Sequence, residues 1–174
     1  MKKTTLLLIA IITAISLTSC HKSGAKLFVG DYSFKTSGEI SITAEAEIDS
    51  SNIFIPAILN VDLSHDIGQL NISTANKKDD QVIVVINYMN GDVVTTTGTC
   101  DENTIRLDKF QRNTLPVSVT TLLSNNYRIS VSATGRIYDD NMIVFDMTYK
   151  GKATVGSVTF NVSDKNIQMV AYRN

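Results

Sequence analysis

The feature that narrows the fold most is a period of two in the placement of apolar side chains. Ile40, Ile42, Ala44, Ala46 and Ile48 alternate with Ser41, Thr43, Glu45 and Glu47. Tyr127, Ile129, Val131 and Ala133 alternate with Arg128, Ser130, Ser132 and Thr134, and Ile143, Phe145, Met147 and Tyr149 with Val144, Asp146, Thr148 and Lys150. Successive side chains of a strand point to opposite faces, so each run predicts a strand with one buried face.

Shorter stretches read the same way: Phe28–Lys35, Ile67–Thr74, Gln81–Met89, Asp92–Gly98, Thr104–Leu107, Leu115–Leu123, Val155–Val162 and Ile167–Tyr172. Together these make roughly ten strands. Asn90-Gly91 predicts a type I′ hairpin; Asn76–Asp80, Tyr138–Asn141, Gly151 and Asp164–Asn166 predict further turns. Sustained helical spacing is missing except over Ser50–Ser64, where Ile53, Phe54, Ala57, Ile58 and Val61 fit a helix but Pro56 interrupts it. An apolar loop or short strand fits that stretch equally, and it could plug a barrel end or cover an open sheet edge. Consecutive hairpins without long crossovers predict an all-β fold, a single antiparallel up-and-down barrel, with a two-sheet β-sandwich as the alternative.

Beginning at the amino end, Met1-Lys2-Lys3 is a short basic leader and Leu6–Ile15 an apolar run too short to span a bilayer. The run ends in Leu17-Thr18-Ser19-Cys20, which resembles the bacterial lipobox, where the peptidase cuts between Ser19 and Cys20. Cysteine suits that position because its sulfur is the nucleophile that takes diacylglycerol. The resemblance implies residues 1–19 as a lipoprotein signal peptide, a diacylglycerol and an N-acyl chain on Cys20, and residues 20–26 as a lipidated polar tether. Each buried methylene adds about 0.8 kcal/mol, so such an anchor is effectively permanent. His21 departs from the aspartate that retains enteric-type lipoproteins in the inner membrane, which favours the outer membrane.

Of the 174 residues, the 155 from Cys20 onward suffice for one domain and one core, expected over 27–174. Without Lys2 and Lys3 the chain has 14 basic and 17 acidic side chains, with no basic stripe, which argues against nucleic acid as a partner. Lipidation of Cys20 leaves Cys100 without a disulfide partner, as either a small buried packing residue, the favoured reading, or a free thiol.

Val29–Phe34, Asn103–Phe110 and Ala133–Ile143 resemble segments of the small calycin-like, or lipocalin-like, lipoproteins of Gram-negative anaerobes. The resemblance implies an antiparallel barrel with an apolar cavity and gives Gly30 and Tyr32 a structural role in the first strand. It carries no ligand-binding residues.

Asp62-Leu63-Ser64-His65-Asp66 holds the ingredients of a hydrolytic triad or a metal site. Triad members converge from separate elements, whereas neighbours on an extended chain diverge, so this stretch reads better as a solvated turn with Asp62 or Ser64 capping backbone amides. Asp101-Glu102 and Asp139-Asp140 read as hairpin tips. The Asn71 and Asn161 acceptor patterns for glycosylation read as chance matches within strands. Motifs for phosphate loops, paired metal cysteines or catalytic serines do not occur, so no catalytic residue, metal or cofactor beyond the lipid is expected. The leading expectation is an envelope-anchored, non-catalytic binding module for a small apolar ligand. The alternative is a structural subunit that docks on an envelope protein through a filled barrel. Small inward side chains, as at Ala44, Ala46, Ala133 and Gly135, would leave room for a ligand; Phe and Met would fill it.

Overall fold

The computed structural model describes residues 24–48, 53–75, 79–112, 127–155 and 158–174. The leader, Ser19, Cys20 and the expected strand Leu115–Leu123 lie outside the described residues. A short helix, α1 (Gly24–Phe28), precedes nine strands: β1 (Gly30–Ile48), β2 (Ile53–Asp62), β3 (Ile67–Thr74), β4 (Gln81–Tyr88), β5 (Val93–Asp101), β6 (Thr104–Arg112), β7 (Tyr127–Asp139), β8 (Met142–Val155) and β9 (Val158–Arg173). Every pairing is antiparallel, and the ladder runs from β1 through β3 to β9 and back to β1. The fold is therefore all-β and closed into a barrel.

β2 extends this ring on one side. β1 pairs with β3 over Gly30–Lys35 and with β2 over Glu39–Ile48, so β2 and β3 share one edge of β1. Among the described residues β2 has no other neighbour. The Leu63 N–H donates to the Gly38 carbonyl at 3.0 Å, and counting along the register from that bonded pair puts Pro56 on an unbonded one, opposite Glu45. The amide side of Pro56 thus faces the free edge. A residue without an N–H costs no ladder bond there and blunts the edge against strand addition. The stretch with helical spacing is a strand for this reason: its proline is harmless at an edge and damaging inside a helix.

Bulges correct the strand count. Asp164–Asn166 and Gly151, expected as turns, lie within strands, because the β8–β9 register slips between Met147 and Gly151. Asn166 takes φ +48 and Gly38 φ +111 beside it, where a Cβ on residue 38 would sit 2.7 Å from the Asn166 carbonyl. The hairpin at Asn90-Gly91 also differs from expectation. Only Gly91 has positive φ, its N–H donates to the Tyr88 carbonyl at 3.0 Å, and the Tyr88 N–H donates to Asp92 at 2.9 Å. This is a type I turn closed by a left-handed glycine, and type I′ would need two positive φ values.

Where its side chains are described, the barrel interior is packed. Leu70, Ile72, Val82, Val84, Ile86, Ile105, Val131, Phe145 and Met169 are all buried. An eight-strand ring is just wide enough for its own side chains to fill it. Gly135 does not leave a space, since a Cβ there would lie 2.5 Å from Phe145 Cε1 and 2.7 Å from Ile105 Cγ2. Ala133 is buried beside it, and the side chains of Ala44 and Ala46 lie outside the described residues.

α1 closes one end. Gly24–Lys26, expected in the tether, belong to this helix, and Ala25 and Phe28 are fully buried. The Tyr32 hydroxyl donates to the Phe28 carbonyl at 2.8 Å, and Arg173 Nη2 donates to the Leu27 carbonyl at 2.9 Å and to the Tyr32 hydroxyl at 2.7 Å. These bonds tie the helix to both ends of the β-chain.

Candidate functional site

A layer of polar side chains lies inside the barrel, near where the β4–β5 hairpin ends and the other strands run on. Arg112, at the end of β6, is fully buried and donates through Nη1 to Asp66 Oδ2 at 2.6 Å and through Nη2 to Asp66 Oδ1 at 3.0 Å. Its Cζ stands 3.7 Å from the centroid of the Tyr88 ring, and Nη1 also donates to the Tyr149 hydroxyl at 3.4 Å. The Thr36 N–H donates to the Asp66 carbonyl at 2.9 Å, which fixes the loop that carries the carboxylate.

Each member arrives through a local irregularity of the chain. In β6, Leu107 pairs with Ala133 and Phe110 with Val131, so Asp108 and Lys109 together oppose one residue of β7. That extra residue reverses the alternation: Ile105 and Leu107 point inward, and after the bulge Phe110 and Arg112 do. The Thr96 hydroxyl holds the bulged Asp108 carbonyl at 3.0 Å, and the Thr97 hydroxyl donates to the Asp108 carboxylate. Asp66 reaches the interior from the link between β2 and β3, where its N–H donates to the Leu63 carbonyl at 2.8 Å. Tyr149 lies in the β8–β9 bulge, where its N–H donates to Asp164 Oδ2 at 3.2 Å. Tyr88 meets Phe34 edge to face at 5.4 Å across Gly68, the residue paired with both.

Burial sets the protonation of the layer. It pushes the Asp66 carboxyl above the ordinary carboxylate range, while the charge and hydrogen bonds of Arg112 pull it back. It raises the Tyr88 phenol well above its usual value and the Tyr149 phenol to about 12. Burial by itself would lower the Arg112 guanidinium, but Tyr88, Tyr149 and Asp66 facing it turn the net shift upward. Both phenols are therefore neutral donors at physiological pH, beside a guanidinium that stays charged.

Three buried polar atoms lack a hydrogen-bond partner among the described residues: Tyr88 Oη, Arg112 Nε and Thr36 Oγ1. The Thr36 hydroxyl misses hydrogen-bond geometry but lies close enough to the Asp66 carboxylate to favour its charged form. Leaving a buried polar atom unpaired costs about 1–3 kcal/mol, so a partner for any of these atoms, water included, would stabilise the layer.

Sequence reasoning selected the Asp62–Asp66 stretch but not its role. Asp62 Oδ1 and Oδ2 accept the Ser64 N–H and hydroxyl, each at 2.8 Å, which is the capped turn expected. Those bonds hold the exposed Asp62 carboxyl below its usual range. His65 is exposed and Asp66 is buried, so the three do not converge, and the described residues contain no group of three or more ligands for a metal. Asp101, Glu102, Asp139 and Asp140 are exposed around hairpin turns. Arg112 and Tyr88 were missed. The available signal was Arg112 standing two residues after the apolar Phe110, and only the bulge gives it meaning.

Cys100 is 4% exposed and packs against Gly24 of α1. Burial, then the charge of Asp80, pushes its thiol up to about 11 from an ordinary 9.0. Cys100 and Tyr149 both release their protons at higher pH in the folded chain than in the unfolded one. The stability this contributes is full below pH 9.0 and is lost as pH rises through about 11 and about 12. Urea midpoints are expected to fall steadily above pH 9.0, with Cys100→Ala flattening the first part of the decline. An unchanged profile for Cys100→Ala would show that the thiol does not titrate in this way.

No family model and no curated protein matches the chain. Among solved structures it is similar to a redesigned beta barrel at 12% identity and a TM-score of 0.41, covering 87% of this chain and 96% of that one. It is also similar to EF1p2_mFAP2b bound to DFHBI, at 11% identity and a TM-score of 0.42, with coverage of 88% and 99%. A third, the redesigned beta barrel mFAP1 bound to DFHBI, has 10% identity and a TM-score of 0.40, with coverage of 87% and 99%.

Proposed function

We propose that this chain is a lipid-anchored, non-catalytic binding module of the bacterial cell envelope, with its barrel taking a small, largely apolar ligand against the Arg112–Asp66 layer. The observation that carries the reading is the set of buried, partnerless atoms on Tyr88, Arg112 and Thr36. The strands beside the layer support it: the β4–β5 hairpin turns back at Met89–Asp92, while β1 continues to Ile48, β8 to Val155 and β9 from Val158. A wall that extends past a filled core gives a ligand a surface to occupy.

Anchoring rests on Leu17-Thr18-Ser19-Cys20, and His21 favours the outer membrane. In this reading the helix α1 begins four residues after Cys20, which would set the plugged end of the barrel toward the lipid. The competing reading, a docking subunit without ligand, draws on Phe145 filling the space at Gly135.

Mass spectrometry of the chain extracted from its own membranes tests both parts. The intact protein is expected to begin at Cys20 with diacylglycerol and an acyl chain attached, and under native conditions to carry a small organic molecule. A protein beginning elsewhere without lipid removes the anchor. A bare lipidated mass removes the ligand and leaves the docking subunit.

A further inference from the structure

We infer that the group this layer recognises is a neutral oxygen acceptor, such as the carbonyl of an ester, ketone or amide, at the end of an apolar ligand. This rests on the binding reading above and adds the chemistry of the head group. Both Asp66 oxygens are occupied by Nη1 and Nη2 of Arg112, so the one cation of the layer is already matched in charge and geometry. What remains is a surplus of donors. Arg112 Nε–H and the Tyr88 hydroxyl have no acceptor, and the Tyr149 oxygen already accepts from Arg112, which leaves its hydrogen to donate.

Charge selects among the possible occupants. A carboxylate or phosphate would bring a second negative charge beside the buried Asp66, and no further buried cation stands among the described residues to offset it. A cationic head would be repelled by Arg112, whose two terminal nitrogens already engage both Asp66 oxygens. A neutral carbonyl oxygen accepts through two lone pairs, enough for the Arg112 Nε–H and the Tyr88 hydroxyl, and it adds no charge. Arg112 Nε–H and the Tyr88 hydroxyl then gain the acceptor that the described residues do not supply.

Calorimetric titration of the purified full-length chain with methyl octanoate, octanoate and octane at neutral pH tests the assignment. The ester is expected to bind about tenfold more tightly than the alkane, and more tightly than the carboxylate. Tyr88→Phe, which deletes only an unpartnered hydroxyl, should narrow the preference for the ester over the alkane. Equal affinity for all three, or a carboxylate that binds tightest, overturns the head-group assignment while binding itself stands. Failure of all three to bind overturns the binding reading with it.

Discussion

Replacing Asp66 by alanine is expected to lower the stability of the barrel by about 3–5 kcal/mol, a large part of the total for a domain of this size. The cost comes from what is left behind. Arg112 is fully buried and cannot shed its proton, so without Asp66 it keeps a charge with no counter-charge and two terminal nitrogens short of acceptors. The Tyr88 face, 3.7 Å from Cζ, offsets only a fraction. Replacing both partners together, Asp66→Leu with Arg112→Met, should be close to neutral, because the desolvation cost of both ions vanishes with their attraction. Urea denaturation of the two variants separates these cases. If the double variant is as unstable as the single one, the pair matters by shape rather than charge. If the single variant loses less than about 1 kcal/mol, Arg112 has access to water.

Gly68→Ala carries the second large effect, about 2–3 kcal/mol, through steric overlap. A Cβ at this position would lie 2.1 Å from the Asn87 carbonyl oxygen and 2.9 Å from Phe34 Cζ. The first of these is backbone and cannot swing away. β3 and β4 must part at the Gly68–Tyr88 pair, which also separates the Phe34 and Tyr88 rings that meet across it. Gly91→Ala is the control, since nothing lies within 4 Å and only its positive φ penalises a side chain, by about 1 kcal/mol. Thermal unfolding should rank the two clearly, and equal losses would mean that β4 yields easily at Asn87.

The alternation of Ile40–Ile48, Tyr127–Ala133 and Ile143–Tyr149 shows in advance that these segments are strands. The fully alternating burial of β5 shows how far that rule reaches when no residue is inserted. It fails at the bulges. From Ile105 and Leu107 the period of two sends Arg112 to solvent, and the extra residue at Asp108–Lys109 turns it inward. The strand ends shift for the same reason: Asp164–Asn166 looks like a turn by composition and is a kink inside β9.

The site is less legible than the barrel because its members lie far apart in the chain. Asp66 stands in a polar stretch whose Asp62 and Ser64 do cap a turn, so nothing local separates the buried carboxylate from its exposed neighbours. Thr36, Tyr88 and Tyr149 each fit the inward face of an ordinary strand.

From the sequence alone came the all-β class, the hairpins at Asn90-Gly91 and Tyr138–Asn141 and the inward faces of the regular strands, because these follow from local periodicity and turn chemistry. Only the tertiary structure decided that β1 and β9 close the ring, that Phe145 fills the space at Gly135, and that Arg112 meets Asp66 over Tyr88. Closure and burial depend on register between distant strands. A single inserted residue reverses which side chains face the core, and the energy of that choice lies in partners the local sequence does not contain.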